Sequence, residues 1–135
     1  MKKLSIIILI LWQVTVIYSQ TKADDIIGYY LAIDPKNGEK AQMEVYKTTD
    51  GKYEAKVLWV ENKNLNHEIG TVPIRNLTFD SKTGEWKNGR ALHDGSEYSM
   101  IVNFNNDGRL KLRGYLGISL LGKTVYWTRE KEIRK

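Results

Sequence analysis

RGYLGISLLGKTVYWTR, residues 113–129, sets three glycines among aromatic and aliphatic residues and carries an arginine at each end. On either side of its centre the residues alternate. Leu110 and Leu112 are interleaved with Lys111 and Arg113, and Val125 and Trp127 with Thr124, Tyr126 and Thr128. A period of two puts one set of side chains on a single face of a strand, so the stretch predicts two neighbouring strands joined through Gly117 to Gly122. Gly114 then falls in mid-strand, where a missing Cβ admits a close neighbour or a bend. The connection is greasy for an exposed turn, because Gly117 and Gly122 bracket Ile118-Ser119-Leu120-Leu121. Gly117, Ile118, Leu120, Leu121 and Gly122 are therefore expected first to fold inward as a plug that completes the core at one end, and otherwise to form a lid that gates a ligand or a tip that meets a partner or a membrane.

The same rhythm runs back through the chain. Ala41, Met43 and Val45 alternate with Gln42 and Glu44, Tyr53, Ala55, Val57 and Trp59 with Glu54 and Lys56 among their intervening residues, and Tyr98, Met100, Val102 and Phe104 point one way while Ser99 and Asn103 point the other. Between these runs stand turn signals at Asp34 to Gly38, Asp50-Gly51, Asp80 to Gly84, Lys87-Asn88-Gly89, Asp94-Gly95 and Asn106-Asp107-Gly108. Asn-Gly and Asp-Gly supply the positive φ of tight hairpins at little steric cost. The polar stretch ENKNLNHEIG, residues 61–70, breaks the pattern and reads as a loop or a short helical crossing. The reading is all-β: an antiparallel meander of about seven to nine strands. With one apolar face per strand and no helix to cover it, such a sheet either splits into a sandwich or curls until it covers itself. Closure removes exposed edges, and about eight strands enclose an interior that side chains fill or that holds one small ligand. A small closed barrel is expected first, a sandwich second.

The chain opens MKKLSIIILILWQVTVIYSQ, with Lys2 and Lys3 followed by an apolar run from Leu4 to Leu11. That order is a secretory signal, and Ile17 and Ser19 at its −3 and −1 positions place cleavage before Gln20. The rival is a membrane anchor, but Gln13 and Thr15 interrupt a span that a bilayer requires to be roughly 20 residues long. The expected organisation is a signal over 1–19 and one domain over 20–135. No cysteine is present, so neither a lipid-modified N-terminus nor a disulfide can form and stability rests on burial. Loss of Lys2 and Lys3 lowers the net charge from +5 to +3. Only the charged tail, 130–135, is dense, and it holds both signs, as a solvated end would. A nucleic-acid surface needs a clustered basic field that is not here.

Residues for chemistry are sparse. His67 precedes Glu68 and His93 precedes Asp94, a spacing that matches no recurrent zinc pattern. There is no cysteine nucleophile and no glycine-x-serine-x-glycine elbow, and the glycines mark turns instead of a phosphate loop before a helix. No catalytic residue, metal or cofactor is assigned. What remains is binding. Tyr53, Val57, Trp59, Tyr98, Met100, Val102, Leu112 and Trp127 are candidates for the lining of an apolar cavity, and equally for the filling of a solid barrel.

Residues 110–129, LKLRGYLGISLLGKTVYWTR, resemble the C-terminal signature of the bacterial secreted family called domain of unknown function 2147. Ile26-Ile27-Gly28-Tyr29-Tyr30 resembles its opening strand. Glu44-Val45-Tyr46 with Gly51-Lys52-Tyr53 resembles its second hairpin, and WKNGRALHDGSEY, residues 86–98, the hairpin before its last strands. Two departures are visible: the family's first-strand tryptophan is Tyr30 here, and cysteines found in some members are absent. The resemblance implies a lipocalin-like, calycin-like barrel and no assigned activity. In such a barrel the first and last strands are neighbours, so Arg129 comes to lie on the ring of Tyr30, a contact contributing about 0.5–2 kcal/mol. Gly28, Tyr30, Trp127 and Arg129 are thereby expected to close one end. The functional expectation is an exported, monomeric, non-catalytic binder of a small apolar or amphipathic ligand in the periplasm or outside the cell, with no membrane span after cleavage. The alternative is a solid-core module that contacts an envelope protein through residues 117–122.

Overall fold

The computed structural model describes residues 20–93, 95–115 and 123–135. The expected signal at 1–19, Asp94, and the Gly117 to Gly122 lid lie outside the described residues. Within them the chain forms β1 (Gly28–Ile33), β2 (Lys40–Lys47), β3 (Tyr53–Val60), β4 (Ile74–Asp80), β5 (Glu85–His93), β6 (Ser96–Phe104), β7 (Leu110–Tyr115) and β8 (Thr124–Glu130). Each strand pairs antiparallel with the next. β8 returns to β1 through Tyr29–Glu130, Tyr30–Arg129 and Leu31–Thr128, so the sheet is a closed barrel and not a sandwich. Among the described residues no helix is long and apolar enough to cross a membrane.

The alternation in sequence drives this closure, because the inward residues of all eight strands must cover one another. Turns form at Gly38, Gly51, Gly84, Gly95 and Gly108, each with positive φ. Lys87-Asn88-Gly89 is a correction to the sequence reading. It lies inside β5, where Asn88 has φ 62° and the register against β6 shifts between Trp86 and Gly89. This is a bulge, and it brings the strand so close to β4 that a Cβ on Gly89 would sit 2.6 Å from Leu77 Cδ2.

A second bulge moves Trp59. Gln42 pairs with Trp59 but Met43 with Val57, which leaves Leu58 as the extra residue. The phase of β3 flips there, so Val60 faces the core and Trp59 the outside. The charged tail covers that outer face and is not a solvated end. Gln42 Nε2 donates to the Glu132 carbonyl (2.7 Å) and to Glu130 Oε1 (3.0 Å), while the Arg134 N–H donates to Gln42 Oε1 (2.9 Å). The Arg134 guanidinium lies 5.1 Å from the Trp59 ring, and Gln42 is wholly buried.

The polar stretch contains a 3-10 helix, Lys63–Glu68, whose start is capped by Asn62 Oδ1 accepting from the Asn64 N–H. It has a structural task. β3 and β4 pair only at Tyr53–Leu77 and Ala55–Ile74. Beyond these, Val57 N–H donates to the Thr71 carbonyl (2.9 Å) and Gly70 N–H to the Val57 carbonyl (2.7 Å), so the crossing fills the gap.

Candidate functional site

The two ends of the barrel differ because the inward side chains are graded by size. At the end holding the β2–β3, β4–β5 and β6–β7 turns, Tyr30, Tyr53, Leu77, Trp86, Val102 and Leu110 are at most 2% exposed. A 3-10 turn, Ala23–Ile26, plugs this end with the buried Ile26. Trp86 Nε1–H donates to the Ala23 carbonyl (3.1 Å), the Tyr53 hydroxyl donates to Asp24, and the Trp86 ring packs 5.0 Å from Phe79 and 5.7 Å from Phe104.

Arg129 joins the plug to the barrel wall. Its guanidinium sits 5.0 Å from the centre of the Tyr30 ring and 5.6 Å from that of Phe104. It donates to the carbonyls of Ile27 (3.0 Å) and Asp25 (2.6 Å) and to the Tyr30 hydroxyl (2.8 Å), which itself donates to the Ile26 carbonyl (2.8 Å). Gly28 makes room, since a Cβ there would stand 2.7 Å from Arg129 Nη1. Trp127 packs 6.2 Å from Tyr30. Burial pushes the Tyr30 phenol up to about 12, with Arg129 opposing and Asp25 reinforcing the shift. Every one of these groups is engaged with the protein itself.

Among the described residues, the opposite end is hollow. Its inward positions carry Ala32 on β1, Ala41 on β2, Ala91 on β5 and Gly114 on β7, too small to meet across the barrel. They leave a cavity of about 510 Å³, open at the mouth and bounded below by Trp127, Leu112, Met100 and Ile74. Leu65, Pro73 and Leu92 stand at the mouth with Asp34, Lys36, Glu39, Lys40, Glu68 and Lys123. All the charged lining residues belong to this rim.

Of the residues expected to line a cavity, Tyr98, Met100, Leu112 and Trp127 do so. Tyr53, Val57 and Val102 do not; they are packed in the solid core, and Trp59 lies on the outer surface because of the β3 bulge. His67 stands on the 3-10 helix beside Glu68. Among the described residues no three histidine, aspartate or glutamate side chains group as metal ligands would.

A family model described as "Uncharacterized protein conserved in bacteria (DUF2147)" matches residues 28–129. The chain belongs to the DUF2147 family. Its DUF2147 barrel is similar to a solved structure described as "Protein HP1028 from the human pathogen Helicobacter pylori belongs to the lipocalin family", with 22% identity and a TM-score of 0.65. The likeness covers 80% of this chain and 84% of that one, and shows a lipocalin-like fold. A comparison with curated proteins gives no match. What sequence reasoning missed in this DUF2147 chain is the set of small residues at inward positions, Ala32, Ala41, Ala91 and Gly114. Their phase was legible, but attention to large apolar residues passed over the ones that make the space.

Proposed function

We propose that this protein is a non-catalytic binder of one small apolar or amphipathic molecule, held in the hollow half of the barrel. The carrying observation is the apolar cavity of about 510 Å³, open at one end of a barrel whose other end is solid. That volume falls within the range of about 300–1,000 Å³ common to small-molecule sites. Among the described residues the upper half is unfilled, which supports a carrier over a solid-core interaction module; the 117–122 loop that the second reading needs lies outside the described residues. Export to the cell envelope is part of the proposal and is supported by the lysine-then-apolar order of residues 1–19.

The test is to express the full chain, purify the exported product, extract it with organic solvent and analyse the extract by mass spectrometry. A stoichiometric apolar molecule is expected, on a polypeptide that begins at Gln20. A product that carries nothing and, after solvent stripping, binds no apolar fluorophore would overturn the reading.

A further inference from the structure

We propose that residues 62–69 form a hinged strap that swings off the barrel and admits the ligand through the wall between β3 and β4, with Leu65 as its latch. This deepens the carrier reading and rests on it. Every residue of the strap and of its anchors is described. β4 begins at Ile74, which pairs with Ala55, so beyond Val57 the stretch of β3 from Leu58 to Val60 has no strand on that side. The 3-10 helix Lys63–Glu68 stands there instead. It belongs to the hollow half, because Leu65 and Glu68 line the cavity together with Val60 of β3 and Ile74 of β4.

The strap is tied at its ends and loose in its middle. At one end the Glu61 N–H donates to the Lys40 carbonyl (2.9 Å) and Asn62 Nδ2 to Glu39 Oε1 (2.9 Å). At the other the Gly70 N–H donates to the Val57 carbonyl (2.7 Å) and the Val57 N–H to the Thr71 carbonyl (2.9 Å). Between these anchors the hydrogen bonds among the described residues stay within the crossing. The Asn64 N–H donates to Asn62 Oδ1 (3.0 Å), the Leu65 N–H to the Asn62 carbonyl (2.9 Å) and the Ile69 N–H to the Asn66 carbonyl (3.1 Å). No residue of the helix is buried, and its one apolar side chain, Leu65, is what packs against the core. A segment with so little buried apolar contact and such exposed backbone bonds opens far more readily than the domain unfolds, the more so for the poorer bond geometry of a 3-10 turn. Gly70, at φ 91°, gives the strap a pivot at its C-terminal end. Lifting Leu65 opens the side of the hollow half without breaking a pair in any strand ladder.

The chain has no cysteine, so Leu65→Cys gives the latch the molecule's sole thiol. In the solvent-stripped protein this thiol is expected to react with a bulky disulfide reagent roughly ten- to hundredfold more slowly than one placed by Asn66→Cys at an exposed position of the strap, yet at a rate that low denaturant leaves unchanged. A thiol placed by Val102→Cys in the solid core should react only as the barrel unfolds, at a rate that climbs with denaturant. Stopped-flow binding of an apolar fluorophore supplies the second readout. Asn62→Ala frees the strap from Glu39 without touching the cavity lining. It should raise the association and dissociation rates together, by about three- to tenfold, and leave Kd within about twofold. A latch thiol that reacts only through global unfolding, or exchange rates in Asn62→Ala equal to those of the wild type, would overturn the strap while leaving the carrier intact. A fluorophore that never binds would overturn both.

Discussion

Gly28 and Arg129 act as one unit, because the space that glycine leaves is the space the guanidinium occupies. Arg129→Ala removes hydrogen bonds to Ile27, Asp25 and Tyr30 and a cation on two aromatic rings. Both carbonyls can rehydrate, so the expected cost is about 1–2 kcal/mol, read as a fall in melting temperature of roughly 4–10 °C. Gly28→Ala meets Nη1 at 2.7 Å and a φ of 153°. It should cost a similar amount, and the double variant should cost less than the sum, since without the guanidinium the added methyl displaces nothing. Strict additivity in denaturation would sink the idea of a coupled pair. Tyr30 gives the residue scale its pH dependence. Its phenol is held up to about 12 against an ordinary 10. The folded state therefore keeps a proton that the unfolded chain releases. The stabilisation is whole below pH 10 and drains away as pH rises toward about 12. Tyr46 and Tyr53 are shifted to about 12 as well, Tyr53 by burial first and then by its bond to Asp24. Denaturant titrations between pH 8 and 11 should show stability falling above pH 10, with a shallower fall for Tyr30→Phe. An alkaline slope identical in the two proteins would contradict the assignment.

At the scale of elements, sequence periodicity gave the strands faithfully wherever it was unbroken and failed where a strand changed phase. β7 alternates over Leu110 to Arg113 and β6 does so apart from Ile101, and Tyr98, Met100 and Leu112 point where the alternation puts them. β3 reads Val57-Leu58-Trp59-Val60, four apolar residues in a row, and such a run carries no phase information. The bulge at Leu58 is what a strand does when it must pass from the core face to a partner on the outside, and the partner is the C-terminal tail. Its charges made that tail look solvated. The reason it is not lies in one neutral residue, Gln42, whose amide bonds the tail backbone on both its donor and acceptor sides, much as a neighbouring strand would. Nothing in the spacing of sequence links position 42 to position 132. Deleting residues 131–135 strips Gln42 of these partners and uncovers Trp59. A loss of about 1–3 kcal/mol is expected, together with a red shift of tryptophan emission. Because the tail lies on the outer face, probe binding in the cavity should be unchanged; a truncated protein with wild-type stability would show the docking to be incidental.

At the scale of the molecule, the decisive feature is that the barrel formed by the described residues is solid at one end and hollow at the other, and two glycines test this gradient against each other. Gly89 stands where strands are pressed together: a Cβ would lie 2.6 Å from Leu77 Cδ2 and 3.1 Å from the Met100 carbonyl. Gly114 stands beside the hollow, where a Cβ would meet Met100 Cε at 3.8 Å and Ser99 O and Tyr98 Cβ at 3.9 Å, ordinary contact distances. The same kind of substitution must then act with opposite signs. Gly89→Ala overpacks a region that cannot yield and should cost about 1–3 kcal/mol. Gly114→Val places a strand-favouring side chain into empty space and reduces the freedom of the unfolded chain. It should therefore leave stability equal or raise it by up to about 1 kcal/mol. Yet its methyl groups enter the volume that the ligand needs, so affinity for an apolar probe should fall by tenfold or more. A protein made more stable and less able to bind by one side chain would locate the site in the hollow half. If Gly114→Val bound its probe as tightly as the wild type, the ligand would have to sit elsewhere, and the small residues of the upper barrel would be only a packing pattern.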